Sequence, residues 1–244
     1  MNVAPILVLG CGRSGTSIFG ELFADLPGFA YHSEPEWSEV LRLDMSRRHA
    51  IKVPREPVHG RTDPGLSFVM EEFAARFGQP QVFWIVRHPY DAVASLRVGI
   101  AQDWGHHPRP PDWKDWLNRP LVERCAHHWN YLNTHAPASL GTRAHIVRFE
   151  DLVTDPERFA ASILSYVGAT DQRDSDAGMR WASRVQNENN EEFVEALTSR
   201  EYSRDDHTVR VGRWKENLSA SELLLIPPIV GRTATALGYE LPDV

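Results

Sequence analysis

The octapeptide Gly10-Cys11-Gly12-Arg13-Ser14-Gly15-Thr16-Ser17 constrains this chain more than any other stretch. It follows the apolar run Ile6-Leu7-Val8-Leu9 and opens an amphipathic pattern from Thr16 to Leu26. A glycine-rich turn between a strand and a helix presents backbone N–H groups and the positive end of the helix dipole to an anion. Gly10 and Gly15 have the spacing of a Walker A loop, and Ser17 stands in its Ser/Thr place. The lysine of that loop is missing. Thr16 occupies its position, and the cation is Arg13, inside the loop. An ATP-dependent phosphotransferase needs the lysine on the β/γ-phosphates and a hydroxyl on Mg²⁺. A loop with one internal cation suits a shorter anion of lower charge, such as a sulfuryl group.

The rest of the chain alternates between short apolar runs and helical patterns. Ala50-Ile51-Lys52-Val53, Gln81 to Val86 and His145 to Phe149 read as strands. Leu66 to Phe77, Asp91 to Val98 and Leu121 to His135 read as helices. Asp155 before Pro156 is an N-cap followed by proline at the first helical position, predicting a helix to about Val167. Ser219 with Glu222 forms a capping box, and Pro227-Pro228 interrupts the helix that follows. Strands alternating with helices predict an α/β fold with a parallel sheet, as one domain over 1–244. Two segments break the rhythm. Gln102 to Pro120 holds four prolines with Trp104, Trp113, Trp116, His106 and His107; Arg200 to Asn217 is polar and charged. Both read as long loops, which in small domains tend to carry function.

The net charge of −7 argues against a nucleic-acid partner, which needs a basic footprint. An anionic ligand must therefore meet a local cluster of Arg, Lys and N–H groups. No stretch reaches the roughly 18 apolar residues of a membrane span. Met1 to Leu9 lacks the features of a signal peptide. Cys11 and Cys125 have neither metal-ligand spacing nor the density of a disulfide framework, so a cytoplasmic location is expected. His106-His107 and His127-His128 lack the carboxylate or Cys partners of a metal site, and none is expected.

A second anion site is expected at Val86-Arg87-His88-Pro89-Tyr90-Asp91 with Ser95. Arg87 closes the Gln81–Val86 run, at the carboxyl edge of a parallel sheet where α/β folds bind ligands. Ser95 falls about two helical turns later. A guanidinium and a hydroxyl suit a terminal phosphate monoester.

With these residues in hand, the chain resembles the sulfotransferases that use 3'-phosphoadenosine-5'-phosphosulfate (PAPS). Gly12-Arg13-Ser14-Gly15-Thr16-Ser17 is similar to that family's 5'-phosphosulfate loop, in the form found in tyrosylprotein, carbohydrate and many bacterial members. Arg87 and Ser95 match its two 3'-phosphate ligands. Ile51-Lys52-Val53-Pro54-Arg55 resembles the segment whose lysine meets the sulfuryl group. Phe149-Glu150-Asp151-Leu152 resembles a Tyr-Glu-Asp-Leu motif, with Phe149 packing on the nucleoside. Val211 to Leu218 resembles the loop that closes over PAPS, with Arg210, Arg213, Trp214 and Lys215 as contacts. The resemblance implies a P-loop-type sheet of about five strands flanked by helices, PAPS as co-substrate and PAP as product.

Sulfuryl transfer needs positive charge on the donor, from Arg13 and Lys52, and a base for the acceptor hydroxyl. Glu34 is the candidate the resemblance favours, because its distance from Arg13 matches the glutamate base of the tyrosylprotein type. Pro35 biases Glu34 to an extended backbone. His32 is its rival. Trp104, Trp113 and Trp116 either form an acceptor platform or pin a proline-rich loop. The acceptor, whether small molecule, sugar, lipid or peptide, is left open. Two further readings stand beside this one: a P-loop small-molecule kinase and a non-catalytic nucleotide-binding protein.

Overall fold

Five parallel strands form one sheet in the order β2-β3-β1-β4-β5 in the computed structural model, which describes residues 4–55, 61–101, 103–188 and 209–242. The strands are β1 (Ile6–Gly10), β2 (Phe29–Ser33), β3 (Arg48–Lys52), β4 (Gln81–Val86) and β5 (Ala144–Arg148). The expected α/β fold is the observed one. Strand periodicity divides the core in two. Ile6, Val8, Phe83 and Ile85 pack with α1 (Thr16–Asp25), α7 (Pro156–Val167) and α8 (Gln172–Arg184). Leu7, Leu9, Trp84 and Val86 pack on the other face with α4 (Pro89–Ala101), α5 (Leu121–Leu140) and α11 (Pro227–Ala236). The central strands are apolar on both faces, as a doubly covered parallel sheet requires.

Several boundaries differ from the sequence reading, each for a local reason. β2 carries no apolar run because it is an edge strand, with only Phe29 buried. Helix α3 (Met70–Phe77) begins at Met70 rather than Leu66, since the Asp63 carboxylate accepts the Met70 N–H at 2.9 Å. Two short helices, α2 (Trp37–Val40) and α6 (Phe149–Thr154), follow the ends of β2 and β5. Asp155 caps α7 as expected, accepting from Arg158 N. The two prolines separate α10 (Ala220–Leu223), which carries the Ser219–Glu222 capping box, from α11. One further turn, α9 (Trp214–Asn217), lies in the C-terminal loop. No described helix is long and apolar enough to cross a membrane.

This topology positions the site. β1 leads through α1 toward β2 on one side, while β4 pairs with β1 on the other. The loops leaving β1 and β4 run to opposite faces of the sheet at their carboxyl ends, the usual ligand position in such sheets.

Trp84 in β4 is anchored by its indole N–H, which donates to Asn133 Oδ1 of α5 at 3.0 Å in the core. Asn133→Ala should destabilise the fold by about 1–3 kcal/mol through the stranded donor alone. Urea unfolding with an unchanged midpoint would show that this bond is not needed.

Candidate active site

Residues 11–15 connect β1 to α1 with Gly15 in the left-handed region at φ 94°. A side chain at Gly15 would also strike the Phe149 ring, its Cβ lying 2.3 Å from Cδ2. The Ser14 N–H closes the turn on Cys11 O at 3.1 Å. The Ser14 hydroxyl is fully buried and has no hydrogen-bond partner among the described residues. A buried polar atom of this kind needs an explanation, and a loop that holds an oxyanion supplies one.

Arg13, also at positive φ, turns toward β4 and α4, where its Nε donates to Ser95 Oγ at 3.1 Å. Arg87, at the end of β4, sends Nη1 to the Arg13 carbonyl at 2.9 Å and Nη2 to the Arg210 carbonyl. Its guanidinium lies 4.3 Å from the centre of the Phe149 ring, and the Trp129 indole donates to its carbonyl at 3.1 Å. Arg87 and Ser95 are completely buried. Arg13, Arg87, Ser95 and Phe149, which lie in three separate stretches of sequence, thus meet in one place.

The C-terminal loop completes this cluster. Asp91 accepts the N–H groups of Gly212 and Trp214 at 2.8 and 2.9 Å. Asn187 holds Arg210 and Val211 through its carbonyl and its side chain. Arg210 and Arg213 are buried, while Trp214 meets Tyr90 edge-on at 5.2 Å. Lys215 is exposed, with Nζ 5.5 Å from the Trp214 ring, and does not join them. The expected polar segment from Arg200 lies outside the described residues up to 208. The sequence reading assigns Asp91 no role, although its place in the Arg87 motif signals one. Glu150 likewise ties the Arg87 turn down, accepting from His88 N–H and from the Tyr239 hydroxyl.

A second cluster sits across the loop, at the ends of β2 and β3. Lys52 Nζ donates to Ser17 Oγ at 2.8 Å and pairs with Glu34 Oε1 at 2.9 Å. Arg55 pairs with the other carboxylate oxygen of Glu34. Burial lowers the Lys52 pKa to about 8, opposed by the nearby Glu21 carboxylate. The direct Glu34 contact works in the same upward direction as Glu21, so Lys52 is a cation at neutral pH. Glu34 is not extended as Pro35 alone would suggest: its φ is +51°. Its N–H bonds to Lys52 O at 2.8 Å and its carboxylate is gripped by two cations, which together override the local preference. Val53 is also at positive φ, its N–H held by Val8 O. Such outliers persist where surrounding contacts over-determine them, and they concentrate at functional sites.

His32 is separated from this group. Its Nε2 lies 3.0 Å from His49 Nδ1, and His49 in turn reaches Asp44 O at 2.8 Å. The Trp-rich segment is pinned to the body. Trp104 is fully buried and donates to His128 Nδ1 at 3.1 Å. Trp116 stacks on His127 at 4.0 Å, with Asp112 accepting from both. Trp113 is half-buried beneath the Arg109 guanidinium. A cavity of about 530 Å³ between β5 and α7 is lined by none of the clustered side chains. Among the described residues no three His, Cys, Asp or Glu side chains gather as a metal site would require.

Comparison with known proteins agrees with this picture. A model described as the sulfotransferase family matches residues 52–173, half of the chain. No curated protein sequence matches. Among solved structures, the chain is similar to a sulfotransferase domain from the curacin biosynthetic pathway, at 16% identity over 99% of both chains with a TM-score of 0.56. A mouse sulfotransferase complexed with PAP matches at 14% identity, over 95% of this chain and 84% of that one, with a TM-score of 0.61. A sulfotransferase from Mycobacterium avium matches at 14% identity, over the whole chain and 79% of that one, with a TM-score of 0.55. These likenesses establish the shared fold.

The grip of Asp91 on the C-terminal loop has a direct consequence. In Asp91→Ala the amides of Gly212 and Trp214 lose a charged acceptor, and their hydrogen exchange should accelerate at least tenfold, given about 1.5–3 kcal/mol per such bond. Unaltered exchange would mean that other contacts hold the loop.

Proposed function

The chain belongs to the sulfotransferase family, and from that premise we propose that it transfers a sulfuryl group from PAPS to a hydroxyl or amine of an acceptor without a metal ion. The observation that carries the reading is the bridge made by Lys52, which touches Ser17 of the glycine loop and Glu34 at once. It joins an anion-binding loop to a carboxylate through a single buried cation.

The residues divide the work as follows. The loop N–H groups, the Ser14 hydroxyl and the N-terminus of α1 hold the 5'-phosphosulfate. Arg87 and Ser95, closed beneath the Arg210 backbone in this structure, hold the 3'-phosphate when that contact gives way, and Phe149 then packs on the nucleoside. Arg210 and Arg213 add positive charge from the C-terminal loop, beneath Trp214. When bound, the donor supplies an S–O bond that breaks as the acceptor oxygen bonds to sulfur. Lys52, already seated on the loop through Ser17, meets the charge that shifts onto the oxygen left on phosphate, and Arg13 joins it from the loop once its guanidinium leaves Ser95. Glu34 takes the acceptor proton. Its pairing with Lys52 and Arg55 aims it, and the Lys52 bridge lets charge lost at Glu34 be felt at the loop.

The test is incubation with labelled PAPS and a panel of phenols, sugars, lipids and tyrosine peptides in excess chelator, read by mass spectrometry. Transfer is expected to persist in chelator. Glu34→Gln should lower kcat on the accepted substrate by about 10²- to 10⁴-fold while PAP binding changes little. Activity lost to chelator and restored by Mg²⁺ would overturn the sulfuryl reading. Full activity in Glu34→Gln would remove Glu34 as the base.

A further inference from the structure

His106, which lies in the proline-rich loop and lacks the partners of a metal ligand, has its ring wedged between the glycine loop and α4. A methyl group on Gly12 would lie 3.1 Å from His106 Nδ1, and one on Gly99 would lie 2.2 Å from Nε2. Both positions tolerate the imidazole because they lack a side chain. The ring is held there by its own segment: Gly105 N–H bonds to Gly99 O at 2.6 Å, and Trp104 is sunk in the core.

A chain of donors and acceptors decides which nitrogen carries the proton. The Trp104 indole can only donate, so His128 Nδ1, its partner at 3.1 Å, is an acceptor. His128 is completely buried, and burial with three neighbouring histidines holds it neutral. Its single proton is therefore on Nε2. That N–H is buried and has no hydrogen-bond partner among the described residues, and the same is true of His106 Nε2. The two rings are 5.9 Å apart, against 5.2 Å for His32 and His49, whose nitrogens lie at hydrogen-bond distance. The assignment that would satisfy both atoms has His128 donating and His106 Nε2 accepting. The proton of His106 then sits on Nδ1, the nitrogen over Gly12.

We propose that His106 is a neutral hydrogen-bond donor to the transferred sulfuryl group, with its Nδ1–H set over the glycine loop by Trp104 and His128. The proposal rests on the sulfotransferase reading above. Burial, Arg13 and His107 push the His106 pKa down to about 4, so the donor is uncharged at neutral pH and adds to Arg13 without repelling it. A neutral donor of fixed direction is suited to charge that spreads over the sulfuryl oxygens during transfer.

Because PAPS and PAP differ by the sulfuryl group, their affinities isolate this contact without knowledge of the acceptor. Calorimetry on the full chain would compare both ligands for the unmodified protein and for His106→Asn, His106→Gln and His106→Phe. Asparagine places an amide near the Nδ1 position and glutamine near Nε2, while phenylalanine fills the space without a donor. The Phe and Gln variants should lose roughly ten- to a hundredfold in PAPS affinity, the range of one hydrogen bond to a charged group. PAP affinity should be nearly constant across the set, and Asn should recover most of the loss. Equal losses for PAPS and PAP would make His106 a prop for the loop. Unchanged PAPS binding with a raised acceptor KM would assign it to the acceptor wall. Either result overturns the proposal and leaves the sulfotransferase reading intact. If the unmodified protein binds neither ligand, it is that reading which fails.

Discussion

The buried Arg87 guanidinium is the joint on which the site is assembled. It has no exposed surface, yet it reaches three separate chain segments: the glycine loop through Arg13 O, the C-terminal loop through Arg210 O, and the β5–α6 junction through Phe149, while the backbone carbonyl of the same residue ties in α5 by accepting from Trp129. Taking a cation out of water is costly unless it is paired or hydrogen-bonded. The fold meets that cost with carbonyl oxygens and an aromatic face, and in doing so draws the segments to one point. A site built this way is coupled: moving the C-terminal loop moves a partner of Arg87, which is bonded to the backbone of Arg13.

Backbone strain follows the same edge of the sheet. Arg13, Glu34 and Val53 all adopt positive φ just beyond the ends of β1, β2 and β3. For a β-branched residue such as Val53 this is a genuine outlier. Each is locked by a bond to a neighbouring strand end or loop: Arg13 by Arg87 and Ser95, Glu34 by Lys52 and Arg55, Val53 by Val8. Lys52 therefore reaches both Ser17 and Glu34 from a strand whose regular geometry ends beneath it. The strain sits where side chains from three strands must turn inward to a common centre.

Much of this was legible in the sequence because it rests on local signals. The glycine loop, the apolar runs of β1, β3, β4 and β5, and the caps at Asp155 and Ser219 are each specified within a few residues. The edge strand β2 was not legible, since Phe-Ala-Tyr-His-Ser carries too little apolar character where only Phe29 is buried. Without that strand the facing of His32 could not be assigned, and His32 turns to His49 while Glu34 turns to Lys52. Helix α8 escaped for the opposite reason. It is strongly polar, and only Ala177, Gly178, Trp181 and Ala182 are buried. The conformation of Glu34 could not be read from its neighbours, because it is imposed by Lys52 and Arg55, 18 and 21 residues away in sequence. The position of His106 could not be read for the same reason: only the fold brings it to Gly12.

The central claim is that one cleft holds two anions, with Arg87 and Ser95 at the second. The measurement that tests it most directly is the calorimetric affinity of PAP against AMP, which lacks the 3'-phosphate, for the unmodified protein and for Arg87→Ala. The account predicts tighter binding of PAP, by on the order of 1.5–3 kcal/mol for a charge-assisted contact, with most of that difference gone in the variant. Equal affinity for PAP and AMP in the unmodified protein would contradict it.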